Sequence, residues 1–178
     1  MAQAKKRKKF FDIEIPLIGK TTQVQAYEPE ELEGRNIKYD LTRILRGKST
    51  ELYLKIKLVE NKPVPVAVKI KVLPYYIRRA VRKGTNYVED SFSTDCKDAK
   101  LRIKPFLITR RKVSRAVRKA LREKAREEIT KYASDKTKEE IFRDVLQNKL
   151  QKPLSLILKK VYPLSLCEIR IIEVEKEI

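Results

Sequence analysis

Proton transfer, metal binding and nucleophilic attack each need particular side chains, and this sequence is short of them. It contains no His, which removes the usual proton shuttle and the commonest metal ligand. Cys96 and Cys167 stand far apart, without the paired spacing of a zinc site or of a disulfide framework. Both are expected as packing residues, because free cysteine is among the most often buried residue types. The carboxylates Asp90 with Asp95, or Glu127 with Glu128, have the chemistry to hold a divalent ion for nuclease work. Neither pair carries a distinctive signature, and charged residues are normally solvent-facing. Gly19, Lys20 and Thr21 match the end of a phosphate-binding loop, a pattern that also needs a glycine five positions before Gly19. Glu14 stands there, an acid where backbone must approach phosphate, so a turn leading into a strand is the simpler reading. The expectation is a protein that is not an enzyme, with no cofactor and no metal.

Polyanion binding, by contrast, is written throughout. The chain has 43 Lys plus Arg against 24 Asp plus Glu, a net charge of +19 in 178 residues, and such self-repulsion is relieved by an anionic partner. The densest stretch holds Arg110, Arg111, Lys112, Arg115, Arg118, Lys119, Arg122, Lys124 and Arg126 against the single acid Glu123. At 100° per residue, Arg111, Arg115, Arg118, Arg122 and Arg126 share one helical face, with Val113, Val117, Ala120 and Leu121 opposite. A basic helix face is commonly offset by acids one turn away; here those acids are missing, so phosphate is the expected partner. A second group, Lys55, Lys57, Lys69 and Lys71, is expected on one face of a hairpin, where like charges across strands are unfavourable unless an anion covers them. The alternative is a solvated edge protected from aggregation. Lys20, at the head of a short strand, and the run Lys5, Lys6, Arg7, Lys8 and Lys9 complete the candidate RNA-binding set. Residues 1–9 have no apolar periodicity and are expected as a basic tail, disordered or RNA-bound.

The elements that must carry these residues follow from period. Between residues 10 and 108 the dominant repeat is two: Phe11, Ile13 and Ile15 alternate, Lys20 to Tyr27 reads as a short strand, and Leu52, Leu54, Ile56 and Leu58 line one face of the next. After a turn at Asn61 to Pro63, Val66, Val68, Ile70 and Val72 repeat that apolar face. Pro74 opens a short helix with Ile77, Ala80 and Val81 inward, and Gly84 stops it. Tyr87 to Thr94 and Ala99 to Ile108 form another strand pair. The basic helix follows, its apolar stripe drifting through Ala125, Ile129 and Tyr132 as though the helix changes neighbour or bends there. Thr137 and Glu140 have capping-box spacing, Pro153 starts a further helix, Pro163 ends it, and Leu164 to Val174 is a final strand. The reading is one α+β domain over 10–178: strands to 108, helices over 109–163, a last strand over 164–174. From Lys138 on, eight basic residues meet seven acidic ones, so that part is expected to buttress the fold. No run approaches the ~18 apolar residues of a spanning helix, and Asp12 and Glu14 interrupt any secretory core. A soluble, cytosolic protein is expected.

Several short motifs occur together in chain order: KKFFDIEIP at Lys8 to Pro16, IGKT at Ile18 to Thr21, LEGR at Leu32 to Arg35, the TRRK-led helix from Thr109, and VYPL at Val161 to Leu164. In this order they resemble the archaeal and eukaryotic small-subunit ribosomal protein family called S-one-e, or S-three-A-e. The resemblance spans nearly the whole chain. It implies a β-barrel-like antiparallel body with flanking helices and a C-terminal strand returning to the sheet, lodged on the platform of the small subunit near the messenger exit. The partners it implies are small-subunit rRNA, including the region near its 3′ end, and a neighbouring platform protein of the S-eleven family. The short N-terminal tail and the lack of the long C-terminal extension of eukaryotic members point to an archaeal member. A DNA-compacting chromatin protein or a basic RNA nuclease would share the charge.

Overall fold

The computed structural model describes residues 7–59 and 62–177. Lys5, Lys6 and the turn residue Asn61 lie outside them. The chain is α+β, with nine strands and four α-helices among the described residues. Contacts divide it into two compact units: one takes the chain up to Tyr39 together with Tyr53–Val68, the other Asp40–Leu52 and everything from Lys69 on.

The first unit is built on a hairpin. Strand β1 (Lys9–Ile15) pairs antiparallel with β2 (Lys20–Ala26), in register from Lys9 opposite Ala26 to Ile15 opposite Lys20. The period-two alternation buries Ile13 and Ile15 while Asp12 and Glu14 stay outward. Gly19 closes the turn at φ +64°, its N–H donating to the Ile15 carbonyl at 2.9 Å, a left-handed conformation natural to glycine. This turn feeds a strand, which rules out the phosphate-loop reading of Gly19 to Thr21. A short 3-10 helix (Pro29–Leu32) brings Leu32 onto Ile13, Ala26 and Ile56, and Phe11, Val24 and Ile37 pack around them. Strands β3 (Asn36–Asp40), β4 (Thr50–Val59) and β5 (Lys62–Val72) follow, β4 and β5 running through both units.

Parity along β5 differs from the expected apolar face. Pro65 and Ala67 are the buried residues in the first half, Val66 and Val68 only half-buried, whereas Ile70 and Val72 are buried in the second half. The buried side therefore switches between Ala67 and Ile70, where the strand passes from one unit to the other. A strict alternation assumes a single core on one side of the strand.

In the second unit β5 pairs with β9 (Leu164–Glu177), which pairs along its length with β8 (Ala99–Thr109). Both β6 (Tyr87–Glu89) and β7 (Phe92–Asp95) pair with β8. One continuous strand from Tyr87 to Thr94 is thus broken in two. Asp90 accepts the Ser91 N–H through Oδ1 at 2.9 Å, an interaction that competes with the ladder. Register shifts along β8 leave Ser165, Arg170 and Glu175 of β9 without opposite residues, bulges that re-aim the side chains they carry. The strand order β3–β4–β5–β9–β8–β6, with β7 also on β8, is an open path. Among the described residues no ladder joins its ends, so the barrel-like body implied by resemblance is an open sheet.

Pro74 opens α1 (Pro74–Ala80) and Gly84 lies beyond it at φ +89°. The long helix α2 (Arg115–Ser134) starts later than its charge run, because Ser114 is its N-cap and accepts the Val117 N–H at 3.4 Å. Its buried stripe is Leu121, Ala125, Ile129 and Ala133. That i+4 row follows the expected drift through Ala125 and Ile129, along a helix whose neighbours are β6, β7 and α4, and Ala120, expected inward, is exposed. Helix α3 (Lys138–Leu146) opens on the full Thr137/Glu140 capping box. Helix α4 (Gln151–Lys159) begins two residues before Pro153, a position in the first turn where a missing N–H costs nothing. Helix α2 packs on β6, β7 and α4, and α4 packs on β9, so helices cover the sheet around Leu101, Ile103, Phe106 and Ile172.

Candidate nucleic-acid interface

Most of the charge run gathers at one place. The N-terminal half of α2 lines an open groove of about 810 Å³ bounded by Tyr87, Arg115, Ala116, Arg118, Lys119, Arg122, Glu123 and Arg126. A second hollow of about 460 Å³ continues past Arg122 to Glu89, Asp90, Ser91, Lys104, Pro105 and Arg170. The elements below hold this surface rigidly, since the same helix buries Leu121 and Ala125 on its other side.

The cations differ in how they are engaged. Arg126 is committed to the protein: its Nε and Nη2 each donate at 3.0 Å to the two oxygens of Asp90, and its guanidinium lies 5.4 Å from the centre of the Phe92 ring. Lys119 faces Glu123 at 3.7 Å, both largely exposed, and a screened pair of this kind is worth little. Lys124 donates to Glu127 and Glu128. Among the described residues no carboxylate pairs with Arg115, Arg118 or Arg122, and the Arg118 Nε is buried without an acceptor. The acids Glu89 and Asp90 nearby are answered by Arg170 at 2.9 Å and by Arg126. The groove therefore presents net positive charge held in one geometry, the electrostatic footprint of a phosphate binder.

Arg110, Arg111 and Lys112 precede the helix and are exposed on the turn that leads into it, so Arg111 does not share the helical face assigned to it from 100° spacing. Asn86 and the fully buried Thr109 fix that turn. Asn86 Oδ1 accepts the Val113 N–H at 2.8 Å, and the Thr109 hydroxyl lies 2.7 Å from the Arg111 carbonyl while accepting the Asn86 N–H at 3.1 Å. Nothing in the sequence marks Asn86, Thr109 or Tyr87 as site residues, and Asp90 stands out there only as a candidate metal carboxylate. The four are spread over 24 positions, Asn86 just before β6, Tyr87 on it, Asp90 just after it and Thr109 at the end of β8, and the β6–β8 ladder brings them together.

The other candidates are scattered. Lys55 and Lys57 are exposed on β4 in the first unit, and Lys57 has a partner of its own. Lys69 and Lys71 are half-buried in the second unit, Lys69 pairing with Glu173 at 3.1 Å opposite it on β9. Lys55 and Lys57 thus belong to the first unit, Lys69 and Lys71 to the second. In the first unit Lys20 is exposed at the hairpin end, Lys9 lies in β1, and Lys8 sits 5.6 Å from the centre of the Tyr27 ring. Burial, with Glu168 beside it, pushes the Cys167 thiol up to about 12, and Cys96 is buried with its Sγ on the Ala99 carbonyl. Both behave as packing residues. Among the described residues no cluster of three or more His, Cys, Asp or Glu is placed to hold a metal ion.

An α+β scaffold that carries arginines without carboxylate partners along one helix has the features of a polyanion-binding surface. The chain belongs to the ribosomal S3Ae family, whose model matches residues 2–177. It is similar to small ribosomal subunit protein eS1 of Nanoarchaeum equitans, 28% identical over 89% of this chain and 84% of that one. The eS1 protein of Methanothermobacter thermautotrophicus is 27% identical over 92% and 88%. That of Pyrobaculum islandicum is 29% identical over 95% and 80%. All three are archaeal.

Proposed function

We propose that this chain is a structural constituent of the small ribosomal subunit, acting in translation in the cytoplasm by binding rRNA and performing no catalysis. The observation that carries the RNA-binding part is the set Arg115, Arg118 and Arg122, three arginines without carboxylate partners on one rigid helix. Phosphates are the acceptors such a set awaits, and their engagement releases counterions and drives affinity. Arg110, Arg111 and Lys112 extend the grip onto the preceding turn, with Lys119 at its rim. Arg126 holds the β6–β7 turn in place beneath. Lys20, Lys55, Lys57, Lys69, Lys71 and the basic N-terminal residues Lys5 to Lys9 are further phosphate contacts in this reading. The family suggests the finer placement: the subunit platform near the messenger exit, against rRNA close to its 3′ end, beside a protein of the S-eleven family.

Sedimentation of native extract tests this. After DNase treatment the protein should travel with small subunits, and purified protein should bind structured RNA without shortening it in the presence of divalent metal. Loss from the subunit fraction on DNase treatment would identify a chromatin protein instead. Metal-dependent cleavage abolished by Asp90→Asn would identify a nuclease.

A further inference from the structure

Among the described residues Tyr87 is the one aromatic side chain lining the basic groove, and it is 56% exposed on the three-residue strand β6. Such exposure is not idle packing. The ring rests on Phe106, itself buried, with centroids 6.0 Å apart and planes inclined by 24°, so one face is backed by the core and the ring is held still. The β6–β8 ladder, with Tyr87 opposite Ile108, and the Asn86–Thr109 hydrogen bonds fix its backbone on both sides. A rigid aromatic with a free face is a stacking platform, since every nucleobase offers a π-face. Around it stand the three arginines that lack acids, and the Arg118 Nε–H is buried without an acceptor.

We propose that this groove binds an unpaired nucleotide, its base stacked on Tyr87 and its phosphates held by Arg115, Arg118 and Arg122. The inference rests on the RNA-binding function above and makes it more specific. A duplex keeps its bases stacked on one another and offers this surface only backbone, whereas a single-stranded or bulged residue can splay its base onto an aromatic ring. The groove thus selects RNA by strandedness, and the arginines alone would not.

The test compares full-length protein binding to a short single-stranded RNA carrying one fluorescent adenine analogue, and to the same strand annealed to its complement. Wild type should prefer the single strand and quench the analogue. Tyr87→Leu keeps an apolar contact for Phe106 and removes the aromatic face. It should weaken single-strand binding by about 5- to 150-fold, the range for one base–aromatic stack, abolish quenching, and leave duplex binding and the salt slope unchanged. Tyr87→Phe should restore both affinity and quenching, which a merely structural role of the ring would not require of the fluorescence. Equal losses for single strand and duplex, or an unchanged Tyr87→Leu, in a wild type that binds both RNAs, would overturn the stacking site and leave the RNA-binding function standing. Failure of wild type to bind either RNA would overturn both.

Discussion

Two arginines one turn apart, Arg122 and Arg126, look alike in sequence and differ in the fold. Arg126 spends its donors on Asp90, whose side chain is only 12% exposed, while Arg122 faces the groove with no carboxylate. The difference lies in which strand turn passes beneath each. A similar commitment appears where α2 meets α3: Lys136 Nζ bonds Asp144 and donates to the Tyr132 hydroxyl at 2.7 Å, and Tyr132 donates to Asp144 at 2.7 Å. Burial pushes the Asp144 carboxyl up, but the hydrogen bonds from Lys136 and Tyr132 outweigh it and hold the group below the ordinary carboxylate range. A folded-state pKa below the unfolded one adds stability that is complete above about pH 4 and lost as pH falls through the folded value. Asp144→Asn should therefore lower stability by about 1–3 kcal/mol at neutral pH, the cost of leaving hydrogen-bonded partners unmet. Denaturant unfolding should show the gap to wild type closing as pH falls below about 4. A gap independent of pH would mean that the charge on Asp144 is not what the network uses.

At the scale of the element, α2 does two things with two faces. Its inner row, Leu121, Ala125, Ile129 and Ala133, is buried to within 1%; its outer face carries the unpaired arginines. Changing Arg115, Arg118 and Arg122 together to Gln should weaken RNA binding and flatten its salt dependence by about two units of log affinity per log salt, at ~0.7 per phosphate contact with single strands. Circular dichroism should show the helix intact, because glutamine forms helix nearly as well as arginine. Leu121→Ala should do the reverse, costing ~2–5 kcal/mol of stability with the salt slope of the folded protein unchanged. An unchanged slope in the triple variant would mean that this face is only solvated.

For the whole molecule, a net charge of +19 on 178 residues sets repulsion against a small number of internal ion pairs. Lys48 with Glu168 and Arg102 with Glu175 are among the pairs that stitch unit two together. Raising salt from about 0.01 M to 0.15 M shortens the screening length from about 30 Å to about 8 Å. It should raise the thermal midpoint, since more repulsion than attraction is screened. Saturating RNA should raise it further by mass action. A midpoint that falls with salt would show that the ion pairs dominate.

Much of this was decided by local sequence. Period two in Phe11 to Ile15, the Thr137/Glu140 cap, the prolines at 74 and 163 and the density of Arg and Lys over 110–126 each act within a few residues, so the elements and the basic character of the long helix could be read directly. The short motifs in chain order likewise identified the family. Tertiary structure decided the rest, because it depends on contacts between distant positions. Two compact units sharing β4 and β5 made the buried side of β5 switch at Val68, which no alternation rule anticipates. Pairing of β6 and β7 with one strand, β8, put Asp90 under Arg126 and left Arg122 free. The same ladder carried Tyr87 and Asn86 to the start of α2, turning a charged stripe into a groove with an aromatic wall.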